Sequence, residues 1–206
     1  MNARSLGRLA PLAGVAYAAA TIAGDLVIGQ FPDTDASTTK LHAYYAAHHA
    51  HVAAGGMAFA WSTLLLAVFG CALWNRARAA GAHAAVAAAV LVATAVAVVE
   101  TAQEASGFLV LGDVSTKTSV TPSALQALHI VGSAGALGTG VALLLLAVGV
   151  SGIVPRSLAW PAIVLGLLQL TPVGFFASLA FLLWAAVAGV VLTLRPRAGA
   201  PVPALA

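Results

Sequence analysis

Two glutamates, Glu100 and Glu104, stand four residues apart in the stretch Val98-Val99-Glu100-Thr101-Ala102-Gln103-Glu104, which closes a charge-free run from Ala84 to Val99. On a helix this spacing stacks the two carboxylates one turn apart on a single face. In water such a like-charge pair costs roughly 0.2–0.5 kcal/mol. Within a membrane span each ionised side chain costs roughly 2.5–3.5 kcal/mol at mid-helix. The pair therefore needs a shared proton, a cation, a histidine or water in a cavity. Gln103, between them, suits an interhelical hydrogen bond.

Other residues could join that chemistry. Asp25 interrupts the first apolar run, and His51 and His129 open two later ones. With Glu100, Glu104 and Gln103 they form the expected set for binding a small ligand, a cation or a proton. A metal is the alternative use of His48, His51, His129 and Glu100, because imidazole and carboxylate are ordinary transition-metal donors. The spacing argues against it. His42, His48, His49 and His51 contain neither a His-x-x-x-His pair nor a His-Glu-x-x-His motif. His51 and His129 could ligate a haem from opposite sides, but an electron carrier that crosses the membrane needs histidines at both depths, and the other end of the chain's spans offers His83 alone. No resident cofactor is expected. Cys71 is the only cysteine, which excludes an intrachain disulfide and a cysteine metal cage. A phosphate-binding glycine loop and a nucleophile elbow are both missing.

The elements that position these residues follow from composition. Of 206 residues 61% are hydrophobic and only 7% charged, with a mean hydropathy of +0.99. A soluble domain carries about 25% charged residues, so the expected class is all-α, a polytopic transmembrane bundle in the cell membrane with the lipid bilayer as its first partner. The net charge of +3 comes from too few basic residues to make a nucleic-acid-binding stripe, and no nucleic-acid partner is expected. Six apolar stretches, about 9–31, 52–74, 84–106, 125–150, 157–171 and 175–194, approach the roughly 20 residues a span needs. They make one domain over 1–194, followed by a disordered cytoplasmic tail over 195–206 that is rich in Pro and Ala. The first stretch lacks a small-residue cleavage pattern, so it is expected to be kept as a span. Ser37 caps an amphipathic helix holding Tyr44 and Tyr45 at the interface, with a bend at Gly55-Gly56. Residues 107–123 form a polar loop, Thr121-Pro122 starts the next helix, and Thr171-Pro172-Val173-Gly174 turns a hairpin.

Six spans sort the charges. Arg4, Arg8, Arg76, Arg78, Arg156, Arg195 and Arg197 fall on one side, and Lys40 and Lys117 on the other. Positive charge marks the cytoplasmic side, which places both termini inside. Asp25, Glu100 and Glu104 then lie near the outer ends of their spans, at a level close to His51 and His129. Small same-face neighbours (Gly14, Ala18 and Thr21 for Asp25; Gly55, Ala58 and Ser62 for His51; Gly132, Ser133 and Gly140 for His129) let these faces approach one another. A polar pocket open to the outside is the expectation. Trp61, Tyr17 and Trp184 are expected to pack, Trp74 and Trp160 to mark the inner boundary, and Gly132-Ser133-Ala134-Gly135 to bring helices close.

The stretch Tyr44-Tyr45-Ala46-Ala47-His48-His49-Ala50-His51-Val52, together with Leu165-Gly166-Leu167-Leu168-Gln169-Leu170-Thr171-Pro172, resembles small, uncharacterised six-span membrane proteins of high-GC bacteria. The resemblance implies the topology and carries no activity or site residue. The leading expectation is thus a non-enzymatic integral membrane protein with an outward-facing polar pocket for a small molecule, cation or proton, transport being one form that binding could take. The rival classes are a membrane-embedded enzyme acting on a lipid-like substrate through acid–base carboxylates or a metal, and a structural or assembly subunit. No discontinuous span is expected.

Overall fold

The computed structural model describes residues 7, 9–33, 35–114, 117, 120–133 and 138–195, with backbone alone for 131–133. Arg4, Arg8, Arg197, the tail beyond Arg195 and the stretch 134–137 lie outside the described residues. The described chain is all-helical: a 3-10 turn at Ala10–Leu12, then α1 (Ala13–Ile28), α2 (Thr38–Ala79), α3 (Ala84–Val114), α4 (Pro122–Ser133), α5 (Thr139–Ser151), α6 (Arg156–Gln169) and α7 (Gly174–Leu194). Four stretches are long and apolar enough to cross a membrane: Ala10–Ile28, α2, α3 and α7. They leave Trp61, Leu64, Val92 and Leu183 exposed, as helices solvated by hydrocarbon do.

Several boundaries follow the sequence signals. Ser37 Oγ accepts a hydrogen bond from Lys40 N at 3.4 Å, and Thr121 Oγ1 one from Ala124 N at 3.3 Å, so both expected caps are made. Gly29, at φ 72°, closes α1, and Gly152, also at φ 72°, closes α5. The chain turns between α6 and α7 at Thr171–Val173.

Three boundaries differ from expectation. Residues 107–114 are helical, not loop, because α3 runs to Val114. Ala105, Phe108 and Leu111 recur at helical spacing and bury against Leu41, Tyr45 and Val52; that apolar stripe outweighs the polar residues around it. The stretch 125–150 is not one helix. α4 stops at Ser133 and α5 starts at Thr139, after Gly138 in the left-handed conformation at φ 63°. At 13 residues α5 is about 20 Å long, short of the roughly 30 Å of a hydrocarbon core. Finally, α2 runs unbroken through Gly55-Gly56 for 42 residues; those glycines do not interrupt the helix and admit its neighbours closely.

The chain divides into two compact units. One comprises 1–18, 65–98 and 138–206. Its core joins Tyr17, Phe69, Leu73, Val90, Leu144, Leu145, Phe181 and Trp184, and Trp184 Nε1 donates to Leu158 O at 2.9 Å. Glycines set its tightest approaches: a Cβ on Gly14 would stand 2.5 Å from Ala185 O, and one on Gly140 would run into the Ala97 backbone. The other unit comprises 19–64 and 99–137, around Leu41, Tyr45, Val52, Phe59, Phe108, Leu111 and Leu125.

Candidate functional site

All six acidic residues belong to the second unit. There α2 presents two adjacent glycines to two different helices. Gly55 packs on Ile28 of α1 and Gly56 on Leu109 of α3, where a Cβ would stand only 2.9 Å from the Leu109 amide nitrogen. Gly24 of α1 packs on Phe59, and Gly112 of α3 on Ala53. With no side chain at these crossings, α1 and α3 both reach the α2 backbone at one level. Asp25 lies less than a turn before Ile28, and Glu104 little more than a turn before Leu109. The two carboxylates consequently come within electrostatic range of each other. Glu104 is half-buried and Asp25 is exposed.

The glutamates are not at a helix end. Glu104 is ten residues before the last residue of α3, about 15 Å along the axis, and Glu100 is one turn further in, also half-buried. The helix does not end at the pair, as a loop over 107–123 would require, but continues through Val114. Gln103, between them, is exposed.

One turn before Asp25, Thr21 holds a buried hydroxyl with no hydrogen-bond partner among the described residues. Thr63, Thr94 and Thr193 each donate to the carbonyl four residues back, at 2.7 to 2.9 Å. Thr21 has not taken that local bond, which leaves an oxygen beside Asp25 able to accept from, or coordinate, something else.

His129 occupies a different setting. It is fully buried, with Nδ1 2.9 Å from Tyr45 Oη and Nε2 3.3 Å from Asp33 O. A carbonyl only accepts, so Nε2 carries the proton and Nδ1 accepts from the tyrosine hydroxyl. The Phe31 ring stacks on the imidazole at 5.4 Å and 4°, and Tyr44 Oη donates to Ile28 O at 3.3 Å. Together these contacts fasten the α1–α2 connection to α2 and α4. Tyr45 is therefore a core residue, not an interfacial aromatic. Apolar residues on both sides of the Tyr pair hide that difference, and the signal that could have exposed it is its i, i+4 spacing from the apolar Leu41.

His48 and His51 are exposed. Their rings lie 6.3 Å apart, and His48 stacks on Tyr44 at 4.6 Å while its Nδ1 donates to Tyr44 O at 2.9 Å. Among the described residues no group of three His, Cys, Asp or Glu side chains lies close enough to hold a metal ion. The set His48, His51, His129 and Glu100 is accordingly not gathered as one metal site. Trp61, expected to pack, is 61% exposed instead. Tyr17 and Trp184 are packed, as expected. The expected packing of Gly132-Ser133-Ala134-Gly135 falls on residues that are described by backbone alone or lie outside the described residues.

Thus Asp25 and Glu104 come within range of each other beside glycine-mediated helix crossings, whereas the one buried histidine serves an aromatic keystone. No family model, no curated protein and no solved structure matches this chain.

Proposed function

We propose that this chain is a multi-pass protein of the cell membrane, with six spans and both termini cytoplasmic, that binds one proton or small cation between Asp25 and Glu104 and carries it as part of transport. The single observation that supports this reading most is the approach of those two carboxylates from different helices, each on a stretch long enough to cross a membrane. Two like charges at one site cannot both stay ionised cheaply, so a bound proton or cation stabilises the pair. Thr21 Oγ1 adds a neutral oxygen one helical turn before Asp25. An oxygen-only donor set suits a hard cation or a proton and disfavours soft metals. The break at Gly138 within the fourth span, 125–150, adds to a transport reading, since interrupted spans are a feature of transporter folds. The side distribution of arginines supports the orientation, and the resemblance of 44–52 and 165–172 to small six-span bacterial proteins belongs with it.

The test is thermal unfolding of the purified chain across pH and across a panel of Na⁺, K⁺, Mg²⁺ and Ca²⁺ salts. A ligand that binds only the folded state at a hundredfold its Kd stabilises by about 2.7 kcal/mol. The expected result is a saturable upward shift of Tm with one cation or with acidification, absent in Glu104→Gln. Equal shifts in wild type and Glu104→Gln would remove the proposal.

A further inference from the structure

Gln169 is the last residue of α6, and close packing of α5 on α6 brings it to the start of α5. The two helices run antiparallel. A Cβ on Gly149 would stand 2.5 Å from Ile163 Cγ1, and one on Gly166 would stand 3.0 Å from Ala142 O. Further along the same line, a Cβ on Gly138 would run into Gln169 Nε2 and lie 2.9 Å from both Cγ and Cδ. Gly138, left-handed at φ 63°, thus leaves to the glutamine the space that a side chain of its own would fill. Gln169 is 7% exposed, and one edge of its carboxamide is satisfied. Nε2 donates to Ser178 Oγ at 2.6 Å, and that hydroxyl donates in turn to Gly174 O at 3.2 Å. With the serine proton spent on a carbonyl, the amide edge that faces Ser178 is the N–H edge. The other edge, Oε1, is buried and has no hydrogen-bond partner among the described residues. Donors nearby in the chain are already committed. Leu170 N and Thr171 N donate to Leu167 O and Leu168 O at 3.2 and 3.0 Å, and Thr171 Oγ1 donates to Leu168 O at 2.7 Å.

An acceptor buried without a donor is costly, and we infer that Gln169 Oε1 anchors an enclosed site for one small neutral hydrogen-bond donor, of the size of a water molecule. The oxygen must be met by an O–H, an N–H or a cation, and the surroundings select the neutral donor. The start of α5 and the end of α6 carry partial charges of opposite sign, so their fields largely cancel where they meet. The unit that holds the site, 1–18, 65–98 and 138–206, contains no carboxylate side chain to balance a cation. The carboxamide itself takes up the room left by Gly138, which leaves place for the smallest donor. A buried water makes about three hydrogen bonds. One proton goes to Oε1 and the other to a last-turn carbonyl of α6, where a helix leaves acceptors without intrahelical donors. The site belongs to the packing of α5, α6 and α7 and is independent of the carboxylate pair.

Nuclear magnetic resonance on the full chain in a neutral detergent, deuterated and isotope-labelled in its glutamine side chains, tests this. The glutamines are Gln30, Gln103, Gln126 and Gln169, and Gln169→Leu identifies the Gln169 amide protons by their loss. Those protons are expected to show a dipolar cross-peak at the water frequency, with the sign of a molecule that tumbles with the protein, while exposed Gln103 shows none. Ser178→Ala separates a bound molecule from the serine hydroxyl, whose proton also exchanges with water; the cross-peak is expected to persist in that variant. Titration with NaCl or KCl is expected to leave it unchanged. A wild-type chain in which no glutamine shows the cross-peak, or in which either salt displaces it saturably, would overturn the inference without any variant having to fold. Loss of the cross-peak in a folded Ser178→Ala chain would overturn it as well.

Discussion

The two compact units are built from the same helical material and carry opposite chemistry. One holds all seven arginines and no acid; the other holds all six acids, both lysines and five of the six histidines. In the arginine-bearing unit Thr94, Trp184 and Thr193 close onto the carbonyls of Val90, Leu158 and Gly189, and Gln169 Oε1 is buried with no hydrogen-bond partner among the described residues. In the acidic unit close crossings at Gly24, Gly55, Gly56 and Gly112 coexist with a carboxylate pair and an unsatisfied threonine hydroxyl. The difference teaches that close helix approach does two jobs here. In the first unit it produces dense apolar packing. In the second it brings Asp25 and Glu104 within electrostatic range of each other, the arrangement on which the proposed proton or cation site rests.

The comparison can be broken at its packing. Gly140→Leu should cost about 3 kcal/mol or more, because the added side chain meets the Ala97 backbone and not a movable side chain. Thermal unfolding in detergent reads this directly. Leu143→Ala, at a residue that is 50% exposed, is the control that should barely shift Tm. A milder loss for Gly140→Leu than for Leu143→Ala would mean that the close approach is not what holds the first unit together.

In the acidic unit the expected effect is next in size. Tyr45→Phe removes the donor to His129 Nδ1 and strands a buried acceptor, which should cost about 1–3 kcal/mol. Chemical unfolding of the variant gives the number. A change indistinguishable from zero would show that water or another group satisfies the imidazole.

Smaller again is Thr21→Val. The hydroxyl it deletes has no protein partner, so stability without ligand should stay within about 1 kcal/mol of wild type. The cation- or proton-dependent part of Tm should fall. That split sharpens the contrast, since Thr94→Val in the other unit breaks a made bond and should lower stability with no effect on the ligand-dependent part. The smallest effect is expected at Lys117→Gln, which removes an exposed ion pair with Asp113. Such pairs contribute about 0.2–1 kcal/mol, and Tm should hardly move.

Much of the fold was legible because it rests on short-range signals. Ser37 and Thr121 cap the helices they were expected to cap, and the Thr171–Gly174 hairpin falls where Pro and Gly punctuate the apolar run. What was not legible depended on tertiary partners. Residues 107–114 look like a loop until Phe108 and Leu111 are seen against Leu41 and Tyr45. That extension changes the site, for it moves Glu104 from a helix end to ten residues inside it. Asp25 and Glu104 were expected at one level because positions along helices follow from residue counts, and the two lie within electrostatic range of each other. His129 was not separable from them by sequence. Its buried tyrosine and carbonyl partners sit 84 and 96 residues away, and no local pattern encodes such pairings. Thr21 was legible only as a small residue on the Asp25 face; that its hydroxyl lacks a partner is a property of the packed helices.

The most direct test is a double-mutant cycle on cation or proton uptake into liposomes, comparing wild type, Asp25→Asn, Glu104→Gln and the double variant. If one proton or cation is held by both carboxylates, each single substitution removes as much uptake as the two together. Independent, multiplying losses, or a double variant that transports as wild type does, would contradict a shared site.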